Sequence, residues 1–525
     1  MIRNPHESIS VWRDDFAAML PSEPAGDATV CVVGAGISGL TTAYLLQREG
    51  FQVQVLDAFQ VGAGETGRTT AHLTAVLDDR FSHLERLHGR ERTQLAVESH
   101  RAAIDLIETI ASSELIDCDF ERVPGYLMST APDQLPLLRE EETASRWAGF
   151  SDLEPIANLR TPAFTFDGPG LQYQRQATFH PGKYLRGLAR AFLKRGGRLA
   201  TGARAIEVSG GKDAWVMLQN RTKIRAQHVV VATNTPFNDR VKMHTKQYAY
   251  RTYVVSFTVP DHVYPGFLLW DLNDPYYYAR RVKLPHRDVL IVGGGDHKTG
   301  QSNDALRRYA EIESWSRAHF NELGQVTHRW SGQVMEPVDG LAFIGRNPMD
   351  HDNVYIATGD SGNGMTHGTI AGMVISDLIA GRANPYAELY DPARKNARSA
   401  GTYFSENMNF VTRLIKDWAQ GADVKDRSEI ANGQGAIVRE GMTPVAVYRD
   451  DEGHLHERSA VCTHLGCVVH WNAGEKTWDC PCHGSRFGIG GEVLNGPARA
   501  ALSDAKDSDV EVGRRSQRGF RKGGA

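Results

Sequence analysis

The chain has 525 residues, 41% of them hydrophobic and 23% charged, with a formal net charge of −4. That length exceeds one core, so two or more domains are expected. The near-neutral balance gives no basis for a nucleic-acid or anionic-membrane partner, and no apolar run is long enough to span a bilayer.

Residues 1–27 form an N-terminal extension. Met1–Pro24 carries acids, no apolar core of the secretory kind and no twin arginines, so a cytoplasmic location is expected. Residues 28–33, Ala-Thr-Val-Cys-Val-Val, have the make-up of a buried parallel strand. Gly34-Ala-Gly36-Ile37-Ser38-Gly39 follows, then a helical stretch over Leu40–Glu49 and a second strand over Gln52–Leu56, ending at Asp57. This is a dinucleotide fingerprint in its proper setting. Gly34 makes the tight turn, Gly36 admits a pyrophosphate, Gly39 lets helix and strand close up, and Asp57 suits a ribose hydroxyl. The helix N-terminus supplies amides to the phosphates.

That unit alone leaves FAD and NAD both open. Three further stretches favour FAD. Gly62-Ala-Gly64-Glu-Thr-Gly67-Arg68-Thr69-Thr70 has glycines and hydroxyls fit to wrap a ribityl chain. Val229–Ala232, ending at Thr233, reads as a strand returning to the cofactor. Val354–Asp360 reads as another, running through Gly359, Gly362, Gly364 and Met365 into an apolar helix ending near Ile379. The expected cofactor contacts are Gly34, Gly36, Ile37, Ser38, Gly39, Asp57, Gly67, Arg68, Thr69, Thr233, Gly359, Gly362, Gly364 and Met365.

Together these stretches resemble FAD-dependent oxidoreductases of the D-amino-acid oxidase and glycine oxidase type, over about residues 28–385. Within that span the FAD-binding parts are expected at about 28–95, 170–240 and 330–385, and a substrate sheet at about 241–330. The segment Trp330–Gly345 is similar to the loop those enzymes place beside the flavin pyrimidine ring. The resemblance implies hydride removal from a carbon bearing an amine, with the cofactor supplying the chemistry and the protein the orientation. Two positions depart from it. Val334 stands where glycine oxidase-type members carry an Arg for a substrate carboxylate, which counts against an α-amino acid. Ile291 stands where sarcosine oxidase-type members place an oxygen-activating Lys, which favours a dehydrogenase over an oxidase. Some relatives attach FAD through a His near His72, but the local match there is poor and noncovalent FAD is expected.

Tyr248, Tyr250, Arg251 and Tyr253 precede a strand-like run over Val254–Val259, and Trp270, Tyr276, Tyr277, Tyr278 and Arg280 surround Asp274-Pro275. Tyr276 and Tyr278 share a strand face by their spacing. Tyr253, Tyr276, Tyr278 and Arg280 are the catalytic candidates, and an aromatic sheet core explains the same pattern equally well. Gly293-Gly-Gly295 reads as a turn, with Asp296 and His297 at the surface. Cys31 and Cys118 read as small apolar fillers.

Residues 386–431 turn polar and read as a linker with a helix over Asn407–Gln420. A β region follows at 432–512, and a basic, glycine-rich flexible tail at 513–525. Four of the six cysteines fall within Cys462-Thr-His464-Leu-Gly-Cys467 and, twelve residues on, Cys480-Pro-Cys482-His483-Gly-Ser485. Each box offers a thiolate and an imidazole at short spacing, which suits a two-iron cluster with two histidine ligands. A tetrahedral zinc site of two cysteines and two histidines also fits, but leaves the second cysteine of each box unexplained.

Both boxes resemble the Rieske [2Fe–2S] family, in its disulfide-containing branch. The resemblance implies Cys462, His464, Cys480 and His483 as ligands, a Cys467–Cys482 disulfide, and a Ser485 hydroxyl directed to a bridging sulfide. High-potential members carry Tyr where this chain has Phe487, so a lower potential is expected. A cytoplasmic disulfide must survive reducing conditions, and shielding by the cluster loops would account for that.

The expected architecture is an α/β FAD-binding Rossmann-like domain with an antiparallel substrate sheet, plus a small all-β Rieske domain. The expected function is an FAD-dependent dehydrogenase that oxidises an amine or imino compound and passes electrons singly through the cluster to an external acceptor. The alternatives are an FAD oxidase with a structural or sensing cluster, and a non-catalytic redox sensor. The expected partners are a small amine-type substrate and a one-electron acceptor.

Overall fold

The computed structural model describes residues 8–16, 23–24, 26–238, 243–284, 287–348, 350–419 and 422–505. The tail expected at 513–525, and the end of the β region at 506–512, lie outside them. The described residues form two compact units. The first holds Ser8–Asp296 and Leu306–Tyr403, and the second His297–Ala305 and the chain from Phe404 onward.

The first unit contains the expected parallel sheet. Ala28–Val33 lies between Val53–Asp57 and Lys223–Val231, and Val354–Thr358 pairs parallel with the latter. All five residues of Val354–Thr358 are buried, as a strand covered on both faces requires. The helix Ile37–Arg48 packs on the helix Gly364–Ile379 through two glycines one turn apart. A Cβ on Gly368 would stand 2.9 Å from Ser38 Oγ, and one on Gly372 2.9 Å from Thr41 Cβ. Only glycine permits so close an approach of the two helices.

The second sheet of this unit has nine strands. Val326–Pro337, Gln247–Val259, Arg287–Lys298, Tyr277–Leu284 and Leu268–Asp271 are neighbours in that order. Gln247–Val259 runs antiparallel to Val326–Pro337, and Tyr277–Leu284 antiparallel to both Arg287–Lys298 and Leu268–Asp271, whereas Leu268–Asp271 pairs parallel with Glu121–Met128. Tyr248, Tyr250 and Tyr253 lie inside the strand Gln247–Val259 and do not precede it. Gly293–Gly295 is no turn: it continues the strand Arg287–Lys298, with Gly293 opposite Tyr278 and Gly294 opposite Tyr277. A Cβ on Gly293 would collide with the Tyr278 ring, so the glycines make room for tyrosines on the adjacent strand.

Two stretches assigned outside the expected domains, the N-terminal extension and the start of the linker, are built into the core. In the N-terminal extension Trp12 is fully buried and donates from Nε1 to Thr69 O at 2.7 Å, while Ser10 Oγ donates to Gly67 O at 2.6 Å. Residues 386–403, expected as linker, belong to the first unit, where Leu389 and Tyr390 are buried. Arg394 there makes an ion pair with Asp339 at 2.7 Å, both side chains buried. The helix expected from Asn407 starts earlier and spans Ala400–Ala419.

The second unit has a three-stranded sheet, Gln434–Glu440, Thr443–Arg449 and Leu455–Ser459. A four-stranded sheet runs through His470–Asn472, Thr477–Asp479, Arg486–Phe487 and Val493–Asn495. Its core is small, centred on Trp471, Trp478, Phe487 and the cluster-box cysteines. Among the described residues no helix is long and apolar enough to cross a membrane.

Candidate functional site

The glycine turn has the backbone shape a dinucleotide needs. Gly34 has φ +112°, and a Cβ there would run into the Ala232 carbonyl. A Cβ on Gly39 would run into the carbonyl of Gly34 itself, and one on Gly36 would stand 2.9 Å from Thr66 Oγ1. The helix beginning at Ile37 has no side-chain cap from Gly36, and its first amide reaches Thr66 Oγ1 at 3.2 Å. Such a helix end offers its amides to a phosphate. Asp57 accepts from the Ala35 amide at 2.7 Å and from the Phe59 amide at 2.7 Å, which fixes its carboxylate at the mouth of the turn. A carboxylate has lone pairs beyond those two bonds, enough for a hydroxyl as well.

The loop after the second strand is tied down on both sides. Arg68 is buried and donates to Ser331 O at 2.6 Å, and Trp330 Nε1 donates to Arg68 O at 2.8 Å. Thr69 Oγ1 accepts from the Ala71 amide at 2.9 Å, and Thr233 Oγ1 donates to Thr235 O at 2.9 Å. Gly359 and Gly362 have φ +73° and +70°, and Gly364 opens the second cofactor-side helix with Met365 buried behind it. The turn, the amides and the glycine loops fit FAD on this donor set.

The aromatic sheet divides its candidates between two faces. Tyr278 Oη and Thr252 Oγ1 lie 2.7 Å apart, and the Tyr276 and Tyr278 rings are 5.5 Å apart. His72 lies 5.6 Å from the Tyr278 ring and 5.8 Å from Trp270; burial pushes its imidazole down to about 3 and keeps it neutral. Tyr253, adjacent to Thr252, points the other way, edge-on to Tyr309 at 5.2 Å. The structure therefore does not bring Tyr253 to Tyr276 and Tyr278. Arg280 is engaged as a tie: it donates to Ala71 O and, at 3.0 Å, to Phe179 O. Val334 sits opposite Tyr250, and Ile291, fully buried, opposite Arg280.

An acidic network that no periodic sequence pattern marks lies next to these tyrosines. Tyr276 Oη donates to Asp78 Oδ2 at 2.9 Å. The Ser361 hydroxyl lies 2.6 Å from Asp79 Oδ2 and 2.8 Å from Glu336 Oε2. One hydroxyl carries one proton, so both contacts are hydrogen bonds only if one carboxyl is itself protonated. The electrostatics agree. Burial, and then the Asp79 charge, push Asp78 up to about 7; burial raises Asp79; burial, and then the Asp79 and Asp78 charges, hold Glu336 well above the carboxylate range. Asp296 is half-buried and not a surface group, and burial lifts it and Asp360 to about 6. The available signal was the Asp78-Asp79 pair directly after the apolar run Leu73–Leu77, with Glu336 and Ser361 inside stretches already singled out.

In the second unit the two boxes fold alike. The Cys462 amide donates to Cys467 O at 2.8 Å and the Gly466 amide to Cys462 O at 3.0 Å. The Cys480 amide donates to Ser485 O at 2.8 Å and the Gly484 amide to Cys480 O at 3.1 Å. Cys462 and Cys480 are buried free thiols in contact: Cys480 lowers the Cys462 thiol, and Cys462 raises that of Cys480. The His464 and His483 rings are 5.0 Å apart, nearly perpendicular, with His464 half-buried. Cys467 and Cys482 are joined as a disulfide, so although their sulfurs and that of Cys480 lie within 4.8 Å of one another, only Cys480 of the three offers a thiolate. A paired thiol set beside a paired imidazole set fits a two-iron cluster, and the disulfide accounts for the cysteines that zinc leaves over. Ser485 Oγ accepts from the Ala498 amide at 3.0 Å, and Phe487, fully buried, pairs with Trp478. Behind the second loop the fully buried Arg486 bonds Asp479 at 3.2 Å with Glu475 at 3.9 Å, a network the spacing of the boxes did not reveal.

Known proteins match both parts. The family described as FAD dependent oxidoreductase (DAO) matches residues 29–378, and the Rieske [2Fe–2S] domain matches residues 421–506. The Bacillus subtilis (strain 168) protein YhfW, named for a Rieske 2Fe-2S centre, is 31% identical over 91% of this chain and 94% of its own. Gamma-glutamylputrescine oxidoreductase of Escherichia coli (strain K12) is 24% identical over 68% of this chain and 84% of its own. The fold of the glycine oxidase from Geobacillus kaustophilus matches with a TM-score of 0.58 at 15% identity, over 71% of this chain and all of that one. L-proline dehydrogenase from P. horikoshii matches at 0.56 and 17%, over 71% and 98%. The chain belongs to the DAO family of FAD-dependent oxidoreductases and carries a C-terminal Rieske [2Fe–2S] domain.

Proposed function

We propose that the protein is a dehydrogenase that oxidises an amine or imino compound and passes the electrons singly through its cluster to an external acceptor. The observation that carries this reading is a complete donor set for a one-electron centre, Cys462, Cys480, His464 and His483, in the same chain as a flavoprotein fold. When bound, FAD takes two electrons as a hydride and the cluster accepts one at a time. The chain's own residues supply the rest. The amides from Gly36 onward and the glycine loops hold the cofactor, with Asp57 at the ribose. Tyr276 and Tyr278 line the substrate side. Asp78, pushed up to about 7 and bonded to Tyr276, offers a carboxyl able to take up a proton beside them, as an amine cation requires, and Val334 puts no cation at the position where glycine oxidase-type members grip an α-carboxylate. The gamma-glutamylputrescine oxidoreductase relative supports a C–N substrate.

An anaerobic screen of amines and imino compounds tests the proposal, with flavin bleaching and the reduced-cluster EPR signal followed together. Bleaching and the EPR signal that appear together on the same substrate support it. Fast reoxidation by air with peroxide formation, unchanged when the cluster is missing, would identify an oxidase. Failure of every amine to bleach the flavin would leave a redox sensor.

A further inference from the structure

The strand Arg287–Lys298 belongs to the substrate sheet, yet the residues after Asp296 fold with the cluster domain. Lys298–Gln301 is a turn, closed by the Gln301 amide on Lys298 O at 3.1 Å, with Gly300 at φ +71° in its third position. A Cβ on Gly300 would stand 2.8 Å from both Asp479 O and Pro481 N, and 3.0 Å from Pro481 Cα. Gly300 is thus required twice: for its left-handed backbone, and because the turn lies flat on the chain flanking Cys480. The contact has further anchors. Asn303 Oδ1 accepts from the Ala473 amide at 2.9 Å, Ala305 Cβ lies where a Cβ on Gly474 would come within 2.6 Å, and Lys298 Nζ donates to Glu406 Oε2 at 2.6 Å. Thr299, between these points, is 1% exposed.

We infer that residues 298–305 are a positioning element for the iron–sulfur cluster, with Gly300 closing over the Asp479–Cys482 backbone that carries one ligand and one disulfide sulfur. The cluster domain is then discontinuous in sequence, and its second loop is held from outside by a segment that no Cys/His spacing reveals. This rests on the second unit holding the cluster and is independent of which substrate the flavin serves.

The test uses the full chain. Gly300→Val pushes the turn off Pro481. It is expected to move the EPR g-values and to shift the cluster midpoint by about 59 mV, a tenfold change in its reduced-to-oxidised ratio for one electron. It is also expected to speed opening of Cys467–Cys482 by a phosphine reductant, with flavin content unchanged. Gly441→Ala is the control, at φ +63° in the same unit with no atom within 4 Å of an added Cβ. Asn303→Ala removes one anchor without steric conflict and is expected to move the same readouts in the same direction, by less. Readouts in Gly300→Val and Asn303→Ala that match Gly441→Ala would overturn the proposal, and if Gly300→Val does not fold, Asn303→Ala decides alone.

Discussion

Around Cys462 and Cys480 every donor atom comes from one of two short loops, whereas the polar groups around Tyr276 come from segments spread between residues 72 and 361. The loops present an imidazole that is half-buried and so within reach of solvent. The tyrosine face gathers carboxyls whose charge is suppressed by burial and by one another. One region gathers every ligand for a fixed inorganic group from two short loops. The other is polar, strained by like charges, and suited to a ligand that relieves them. A site that exchanges ligands needs such tension; a site that keeps its group does not.

Four measurements sharpen or break this contrast, from the largest effect to the smallest. Cys480→Ser removes one of the two thiolates and is expected to abolish bound iron and the cluster EPR signal while FAD absorbance persists. Simultaneous loss of FAD would show that the two regions are not independent. Arg394→Ala strands Asp339, whose charge burial opposes and Arg394 sustains. Breaking a buried pair typically costs about 3–5 kcal/mol, read in denaturant unfolding of the flavoprotein unit.

The third measurement concerns the acids. Asp78 is raised from 3.8 to about 7 by burial and by Asp79. A carboxyl raised in the folded state stabilises fully below its unfolded value and loses that contribution as pH climbs through about 7. Stability is therefore expected to be greater at pH 5 than at pH 8. Asp78→Asn should flatten that slope and add about 1–2 kcal/mol at pH 8, after allowance for solvent screening, while lowering amine turnover. A variant that is less stable at pH 8 would disprove the repulsion. Last, Phe487→Tyr adds a hydroxyl to a fully buried ring at the position where high-potential Rieske members carry Tyr. One added hydrogen bond of about 1–1.5 kcal/mol corresponds to an upward shift of about 40–60 mV in a redox titration.

The same contrast governs what was legible in the chain. Cys462, His464, Cys480 and His483 sit at spacings set by a single turn each, so local order reveals the site. Gly34, Gly36, Gly39 and Asp57 are legible for the same reason. The network of Asp78, Asp79, Glu336 and Ser361 is assembled by sheet pairing and helix packing across nearly three hundred positions, and no local period marks it. Gly293–Gly295 looks like a turn because glycines usually punctuate strands; here they clear space for Tyr277 and Tyr278, which only the cross-strand register discloses. Residues 386–403 are polar enough to read as linker, and the burial of Leu389, Tyr390 and the Arg394–Asp339 pair overrides that composition.

Trp12 has a consequence for synthesis. Its indole is bonded to Thr69 O, lies against His180 at 4.8 Å and beneath the Arg280 guanidinium at 5.8 Å. The last of these partners leaves the ribosome long after the tryptophan does, a wait on the order of tens of seconds at ordinary elongation rates. During that interval the indole lacks its guanidinium cover, so the packing of the N-terminal segment is complete only after residue 280 has been made.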